Sequence, residues 1–220
     1  TRLPLRGVID DYRGLPITWF SRLIEILTGG LYADEWRKLQ SKIRDSEHLL
    51  GTYIGRYNFT LPVAALVIAE DKRYYSHGGT DPIAIVRAIW SIAVRGELQG
   101  ASTIEQQLVR VLIADYRKSI SRKIKEIVLA VRLHRLLSKH QIPVLYLIHA
   151  YFGWKMNGIV QAAGHLKFDL KQPFVEGASA MIARIRYPQP SKASEKLLEK
   201  IEHRKNWIVG RLDKYPYLVF

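Results

Sequence analysis

Apolar positions recur with helical spacing along most of this chain. In "PITWFSRLIEILT", residues 16–28, Trp19, Phe20, Leu23, Ile24 and Leu27 fall on one face, and Gly29-Gly30 ends the run. Residues 34–50 predict a polar helix closed by Gly51, and "TYIGRYNFT", 52–60, alternates weakly enough to predict a short extended piece. Leu61 to Tyr75 predicts a buried helix with Pro62 in its first turn, where a missing N–H is harmless. The same spacing predicts helices over 82–94, 103–115, 119–138, 141–150, 157–166, 174–185 and 193–212. No repeat, low-complexity tract or long linker interrupts them. The fold class this predicts is mostly α.

One predicted helix departs from the one-stripe pattern. In "IAIVRAIWSIAVRGELQG", 83–100, Ile83, Ile85, Val86, Ile89, Trp90, Ile92 and Val94 are too many for a single buried face, and Arg87 and Arg95 stand beside them. Either a fully buried core helix or a segment lying in a membrane interface accounts for that, the second placing arginines among headgroups. No run reaches the roughly 18–20 apolar residues needed to span a bilayer, and no cleavable signal pattern opens at Thr1. The start without methionine is compatible with an anchor upstream.

Composition changes the picture at one point. Hydrophobic content of 48% and charged content of 25% are ordinary for a globular chain, but a formal charge of +14 is not. It implies an anionic partner: nucleic acid, an anionic membrane surface, or a phosphate-bearing substrate. The absence of cysteine excludes disulfides and thiolate metal sites. The charge is concentrated. Residues 110–139 hold nine Lys or Arg against Asp115 and Glu126, half of the chain's excess. Like charges so close repel one another and usually meet an anion.

Three stretches carry candidate chemistry. In "GASTIEQQLVR", Gly100 to Arg110, Ser102-x-x-Glu105 reads as a capping box, while Thr103, Gln106, Gln107 and Arg110 form one polar stripe of amides and a cation. In "KSISRKIKEIVLAVRLHR", Lys118, Arg122 and Lys125 lie near one another, with Glu126 one turn after Arg122. This is either a solvated basic face or an anion site holding one ionised carboxylate. In "EDKRYYSHGGTD", Glu70 ends a buried helix, where partial desolvation makes a better base. Asp71 and Asp81 either orient His77 or cap the next helix, and Asp81 before Pro82 is a good N-cap.

Taken in this order, "EDKRYYSHGGTD", "GASTIEQQLVR" and "RKIKE" resemble three signatures of the peptidoglycan glycosyltransferases, the transglycosylase domains of penicillin-binding proteins and their monofunctional relatives. "YFGWKMNGIVQAAGHLKF", 151–168, and "EGASAMIARIRYPQPS", 176–191, resemble later parts of the same pattern. The resemblance implies a lysozyme-like helical lobe and a smaller membrane-associated jaw lobe, here about 83–100. It divides the chain into an unassigned N-terminal helical region, 1–55, and a glycosyltransferase domain, 56–215.

The implied reaction joins lipid-pyrophosphate-linked disaccharides into glycan strands with inversion at the sugar carbon. Glu70 matches the family's general base and Glu126 its second glutamate, near the leaving pyrophosphate, where a divalent ion (magnesium or manganese) is a possible cofactor. No organic cofactor is implied. Asp71, His77, Asp81, Ser102, Thr103, Gln106, Gln107, Arg110, Lys118, Arg122 and Lys125 match substrate-binding positions. The implied partners are the lipid-linked disaccharide, the growing glycan chain, a membrane surface and other cell-envelope synthesis proteins. Nucleic acid is not implied, since no nucleic-acid-binding module pattern is present. The implied location is the extracytoplasmic face of a bacterial inner membrane, with an anchor upstream or peripheral attachment.

The chain departs from the family pattern at Ala101, Val111, Lys118 and Tyr74, and at Val144 and Ile148, where glutamate and asparagine are usual. Two other readings stand beside polymerisation: a catalytically weak domain that binds lipid-linked glycan, and a lysozyme-like glycan-cleaving enzyme.

Overall fold

A computed structural model describes residues 18–95, 102–117 and 119–215. Gly100-Ala101 and Lys118 of the quoted motifs lie outside the described residues. The described chain is mostly α, as expected. Its elements are α1 (Thr18–Leu27), α2 (Ala33–Arg56), α3 (Thr60–Glu70), a 3-10 turn (Tyr74–Ser76), α4 (Pro82–Arg95), α5 (Ile104–Ile113), α6 (Ile120–Leu136), α7 (Gln141–His149), β1 (Tyr151–Gly153), β2 (Met156–Asn157), α8 (Ile159–His165), α9 (Val175–Arg186) and α10 (Glu195–Leu212).

Two predicted elements are corrected. The expected stop at Gly51 and the extended piece 52–60 are absent, because α2 runs on to Arg56. Gly51 and Gly55 each cost the helix about 1 kcal/mol relative to alanine. Against that, Leu39, Ile43, Ser46 and Leu50 form a buried stripe that carries the helix past Gly51. The helix expected over 61–75 stops at Glu70, where Asp71 takes φ −152° and ψ 77°. The tyrosines that follow belong to the 3-10 turn.

The chain divides into two compact units, one of residues 1–42 and 73–142, the other of residues 43–72 and 143–220. In the first, α5 packs on α6, as does α1. Ile104, Leu108, Val109 and Leu112 of α5 are buried, as are Val128, Leu129, Ala130, Val131 and Leu133 of α6. Gly79 lies against α6 at φ +90°, and a Cβ there would stand 2.4 Å from the Ala130 carbonyl oxygen. Only glycine permits that approach. Ile83, Val86, Trp90 and Val94, spaced three or four apart on α4, are all exposed.

In the second unit, α3 packs against both α9 and α10. Ala64 to Ile68 form a continuous buried run, so α3 is apolar nearly all round. β1 and β2 pair antiparallel, Tyr151 with Asn157 and Gly153 with Met156. Gly153, at φ +140°, also bridges Gln189 in parallel, and a Cβ there would meet the Gln189 oxygen at 2.2 Å. Val144 and Ile148 of α7 are buried at 5% and 8% exposure.

Candidate active site

The basic stretch of the first unit organises around one buried acid. Ser119 caps α6 by accepting a hydrogen bond from the Arg122 backbone N–H at 3.2 Å. From that start, helical spacing sets Arg122 and Lys123 four and three residues before Glu126. Arg110, in the last turn of α5, reaches Glu126 from the neighbouring helix. Its Nε donates to Oε1 at 2.7 Å and its Nη2 to Oε2 at 3.1 Å, a bidentate pair. Arg122 also donates to Glu126 Oε1. The Glu126 side chain is 3% exposed and Arg122 13%, whereas Arg110 and Lys123 are 29% and 32% exposed.

Lys123 extends this cluster. Its Nζ lies 3.8 Å from Glu126 Oε2 and donates to Ser102 Oγ at 2.7 Å and Gln106 Oε1 at 2.6 Å. Gln106 Nε2 donates to Thr80 Oγ1 at 3.1 Å, and Thr103 Oγ1 donates to the Gly79 carbonyl at 2.8 Å. Burial pushes the Lys123 ammonium down to about 8, with Glu126 opposing the fall and Arg110 and Arg122 adding to it. Three cations against one carboxylate leave a net charge of +2, partly exposed at Arg110 and Lys123 and backed by a hydrogen-bonded wall. Such an arrangement suits a multiply charged anion.

The capping-box reading of Ser102 and Glu105 is overturned. Thr103 is the N-cap of α5, accepting from the Gln106 N–H at 3.3 Å. Ser102 instead holds Lys123. Glu105 is fully buried and pairs with Lys139 at 2.6 Å, and its Oε2 has no hydrogen-bond partner. The Lys139 ammonium sits 4.0 Å from the centre of the Tyr74 ring, and Tyr74 Oη donates to the Lys139 carbonyl. His134 is pushed down to about 4, chiefly by burial, with the Lys139 charge next; Glu105 opposes the fall.

Not every predicted residue joins the Glu126 cluster. Lys125 pairs with Asp115 at 3.0 Å and with Glu35 at 3.6 Å. Arg117 also holds Asp115, and the two cations keep the Asp115 carboxyl well below the usual carboxylate range. Asp81 is the expected cap, accepting from the Ile83 and Ala84 N–H groups at 3.0 and 3.1 Å, with Arg73 at 3.3 Å. His77 is buried, its ring edge-on to Tyr74 at 6.2 Å. Gln107 is half-buried.

In the second unit, Glu70 is the last residue of α3 and Asp71 follows it, buried. An anion at a helix C-terminus faces the negative end of the dipole, an unfavourable placement. Arg204 of α10 offsets it, donating to the Ala69 carbonyl at 2.7 Å and to Glu70 Oε1 at 3.2 Å. The Arg204 guanidinium in turn lies 4.6 Å from the centre of the Trp207 ring. The wall facing Glu70 is therefore a guanidinium, where the sequence suggested apolar surroundings.

Lys123, Lys139 and Arg204 were not singled out from the sequence. Lys123 had a local signal, its three-residue spacing to Glu126. Arg204 and Lys139 had none, since 134 and 34 residues separate them from Glu70 and Glu105.

A family model described as transglycosylase matches residues 60–213, from α3 to α10. The chain belongs to the transglycosylase family. The chain is thus a glycosyltransferase-type domain, and Glu70, Glu126 and the residues around both fall inside the matched region. This transglycosylase is 35% identical to penicillin-binding protein 1A of Vibrio cholerae over 157 residues, 71% of the chain and 19% of that relative. It is 33% identical to penicillin-binding protein 1F of Bacillus subtilis, over 70% of the chain and 22% of that relative. Over a shorter stretch of 102 residues it is 43% identical to penicillin-binding protein 1A of Escherichia coli. The chain spans about a fifth of the length of the first two relatives. Helices α1 and α2 lie outside the family match.

Proposed function

We propose that this transglycosylase polymerises a lipid-pyrophosphate-linked disaccharide of the peptidoglycan type into glycan strands, at the extracytoplasmic face of a bacterial inner membrane. The observation that carries the reading is the Glu126 cluster: a buried carboxylate that fixes three cations, two of them partly exposed, within the matched region. A leaving diphosphate supplies the negative charge that such a cluster lacks, and fixed cations stabilise that charge as it develops.

Glu70 acts as the base. The acceptor hydroxyl gives its proton to Glu70 while its oxygen attacks the anomeric carbon of the donor. The bond from that carbon to the pyrophosphate oxygen breaks, and its electron pair leaves with the lipid diphosphate. One displacement inverts the carbon. Arg204 holds the Glu70 carboxylate in place, which offsets its unfavourable position at the end of α3. Gln106, Ser102 and Thr103 brace Lys123 and the α5 terminus; Arg110, Arg122 and Lys123 take the diphosphate. Lys125 is already matched by Asp115 and Glu35, so it is set apart from the diphosphate cluster.

A divalent ion at Glu126 would stand among three cations, and both carboxylate oxygens already accept guanidinium hydrogen bonds. The residues present do not favour it, and no step is assigned to a metal. The exposed row Ile83, Val86, Trp90 and Val94, with exposed Arg87, supports the reading of α4 as the lipid-facing jaw. Among the described residues no helix is long and apolar enough to cross a membrane.

Glu70→Gln tests the reading. Polymer formation from lipid-linked disaccharide in detergent should fall roughly 10²–10⁴-fold while the circular dichroism spectrum is unchanged. Turnover near the unmodified rate in a folded variant would remove Glu70 from the reaction.

A further inference from the structure

Helix α1 leaves a row of apolar side chains exposed. Of the α1 side chains described, Ser21 and Ile24 are the covered ones. Ser21 is buried and donates to the Gly78 carbonyl at 2.7 Å, and Arg132 donates to the Thr28 carbonyl at 2.7 Å and the Gly29 carbonyl at 3.1 Å. The outward side holds Leu23, Ile26 and Leu27, with Leu31 just beyond the helix. Ile26 is 79% exposed and Leu27 70%. Positions 23, 26 and 27 are spaced as one ridge on the helix. Leu23, Ile26 and Leu27 are therefore not part of this unit's core.

Beside the ridge is a cleft of about 600 Å³, lined at its apolar parts by Trp36 and Leu136 and at its charged parts by Arg37, Arg132 and Arg135. Arg37 pairs with Asp34. Apolar residues next to clustered arginines match the layered chemistry of a bilayer surface, acyl boundary beneath and phosphate above. A second copy of the chain would bring the same arginines face to face. Residues 1–17 hold Arg2, Arg6 and Arg13 against Asp10 and Asp11 and so lack the negative charge the cleft calls for.

We propose that the α1 ridge and its arginine-lined cleft dock on a bilayer bearing anionic phospholipid, the ridge entering the acyl boundary and the cleft taking headgroup phosphates. The ridge and the α2 side of the cleft lie outside the residues the family match covers, while Arg132, Arg135 and Leu136 lie within them. It is separate from α4 and does not depend on the transfer chemistry assigned above, so a failure here leaves that assignment standing.

Vesicle flotation of the whole chain tests it, in a Val86→Asp, Trp90→Asp background that removes the α4 contribution. The background protein should still float with vesicles of phosphatidylglycerol and phosphatidylcholine, and much less with phosphatidylcholine alone. Adding Ile26→Asp and Leu27→Asp should abolish flotation. Adding Arg37→Gln and Arg135→Gln instead should weaken binding to anionic vesicles by roughly 25-fold, about fivefold per arginine.

An independent readout uses the absence of native cysteine. A polarity-sensitive dye on Ile26→Cys should shift to the blue on anionic vesicles. An unshifted dye, or ridge variants that float like their background, would overturn the proposal. So would a concentration-dependent dimer that Ile26→Asp and Leu27→Asp convert to monomer, since a second copy would then cover the ridge.

Discussion

Lys123 and Glu126 stand three residues apart, and the difference in their burial decides their roles. Glu126 is closed in and fully committed to guanidinium donors, so its task is to hold cations in position. Lys123 is the titratable member, with its ammonium at about 8. Above that pH the cluster loses one positive charge, and capture of an anionic leaving group weakens. The kcat/KM for polymerisation should therefore fall as pH rises through about 8 and level off once Lys123 is neutral. Lys123→Arg stays charged through that range and should flatten the profile, and identical profiles for the two proteins would separate Lys123 from the substrate.

His134 makes a different pH prediction, on stability. Its imidazole titrates near 6.5 in an unfolded chain and at about 4 when folded. Between those values the unfolded chain binds the extra proton, so stability falls as pH drops from 6.5 to 4 and then levels off. Burial sets this first, and the charged neighbours that adjust it are Lys139, Glu105, His77 and Arg135. Urea unfolding at pH 7 and pH 4 should show a loss about 3 kcal/mol larger for the unmodified chain than for His134→Gln. Parallel losses in the two proteins would mean that other groups dominate the acid response.

At the scale of elements, two glycines separate what a helix tolerates from what packing demands. Gly164, inside α8, has nothing within 4 Å of an added Cβ. Gly164→Ala should stabilise the chain by about 0.4–1 kcal/mol, since only the freedom of the unfolded chain changes. Gly79 sits at positive φ with α6 backbone 2.4 Å from the added atom. Gly79→Ala should destabilise by at least about 1–3 kcal/mol from backbone strain alone, with the clash adding to it. Thermal denaturation of the two variants side by side checks the sign as well as the size. Because Gly79 also accepts from Thr103, the same change should disturb the start of α5.

For the whole molecule, the proposed function makes a prediction about the sugar unit. Val144 and Ile148 replace polar residues of the family pattern. Both are buried on α7, a helix whose Leu145, Tyr146 and Leu147 are buried too. Apolar side chains in that setting continue a core, and their effect is local repacking. The chain should accordingly polymerise ordinary peptidoglycan precursor. In direct competition against other lipid-pyrophosphate-linked oligosaccharides, that precursor should be consumed first. Polymer made only from another unit would keep the reaction type and show that α7 reads the sugar.

The sequence by itself determined the mostly α class, most helix positions, the family signatures and the pairing of a basic stretch with one glutamate. All of these are written in spacing: three or four residues along a helix bring side chains together whatever the rest of the chain does. For the same reason it placed Arg122 beside Glu126 and Asp81 at the start of α4. Tertiary structure alone decided which cations are committed elsewhere. Lys125, adjacent in sequence to Glu126, belongs to Asp115 and Glu35, while Arg110 arrives from another helix. It moved the cap of α5 from Ser102 to Thr103, since Lys123 binds Ser102 and Lys139 draws Glu105 into the core. It also put Arg204 beside Glu70 across 134 residues of sequence and left Leu23, Ile26 and Leu27 of α1 exposed. Helical spacing says which residues share a face. Which face is buried, and which charge meets which, depends on the elements that pack there, and local pattern carries no record of them.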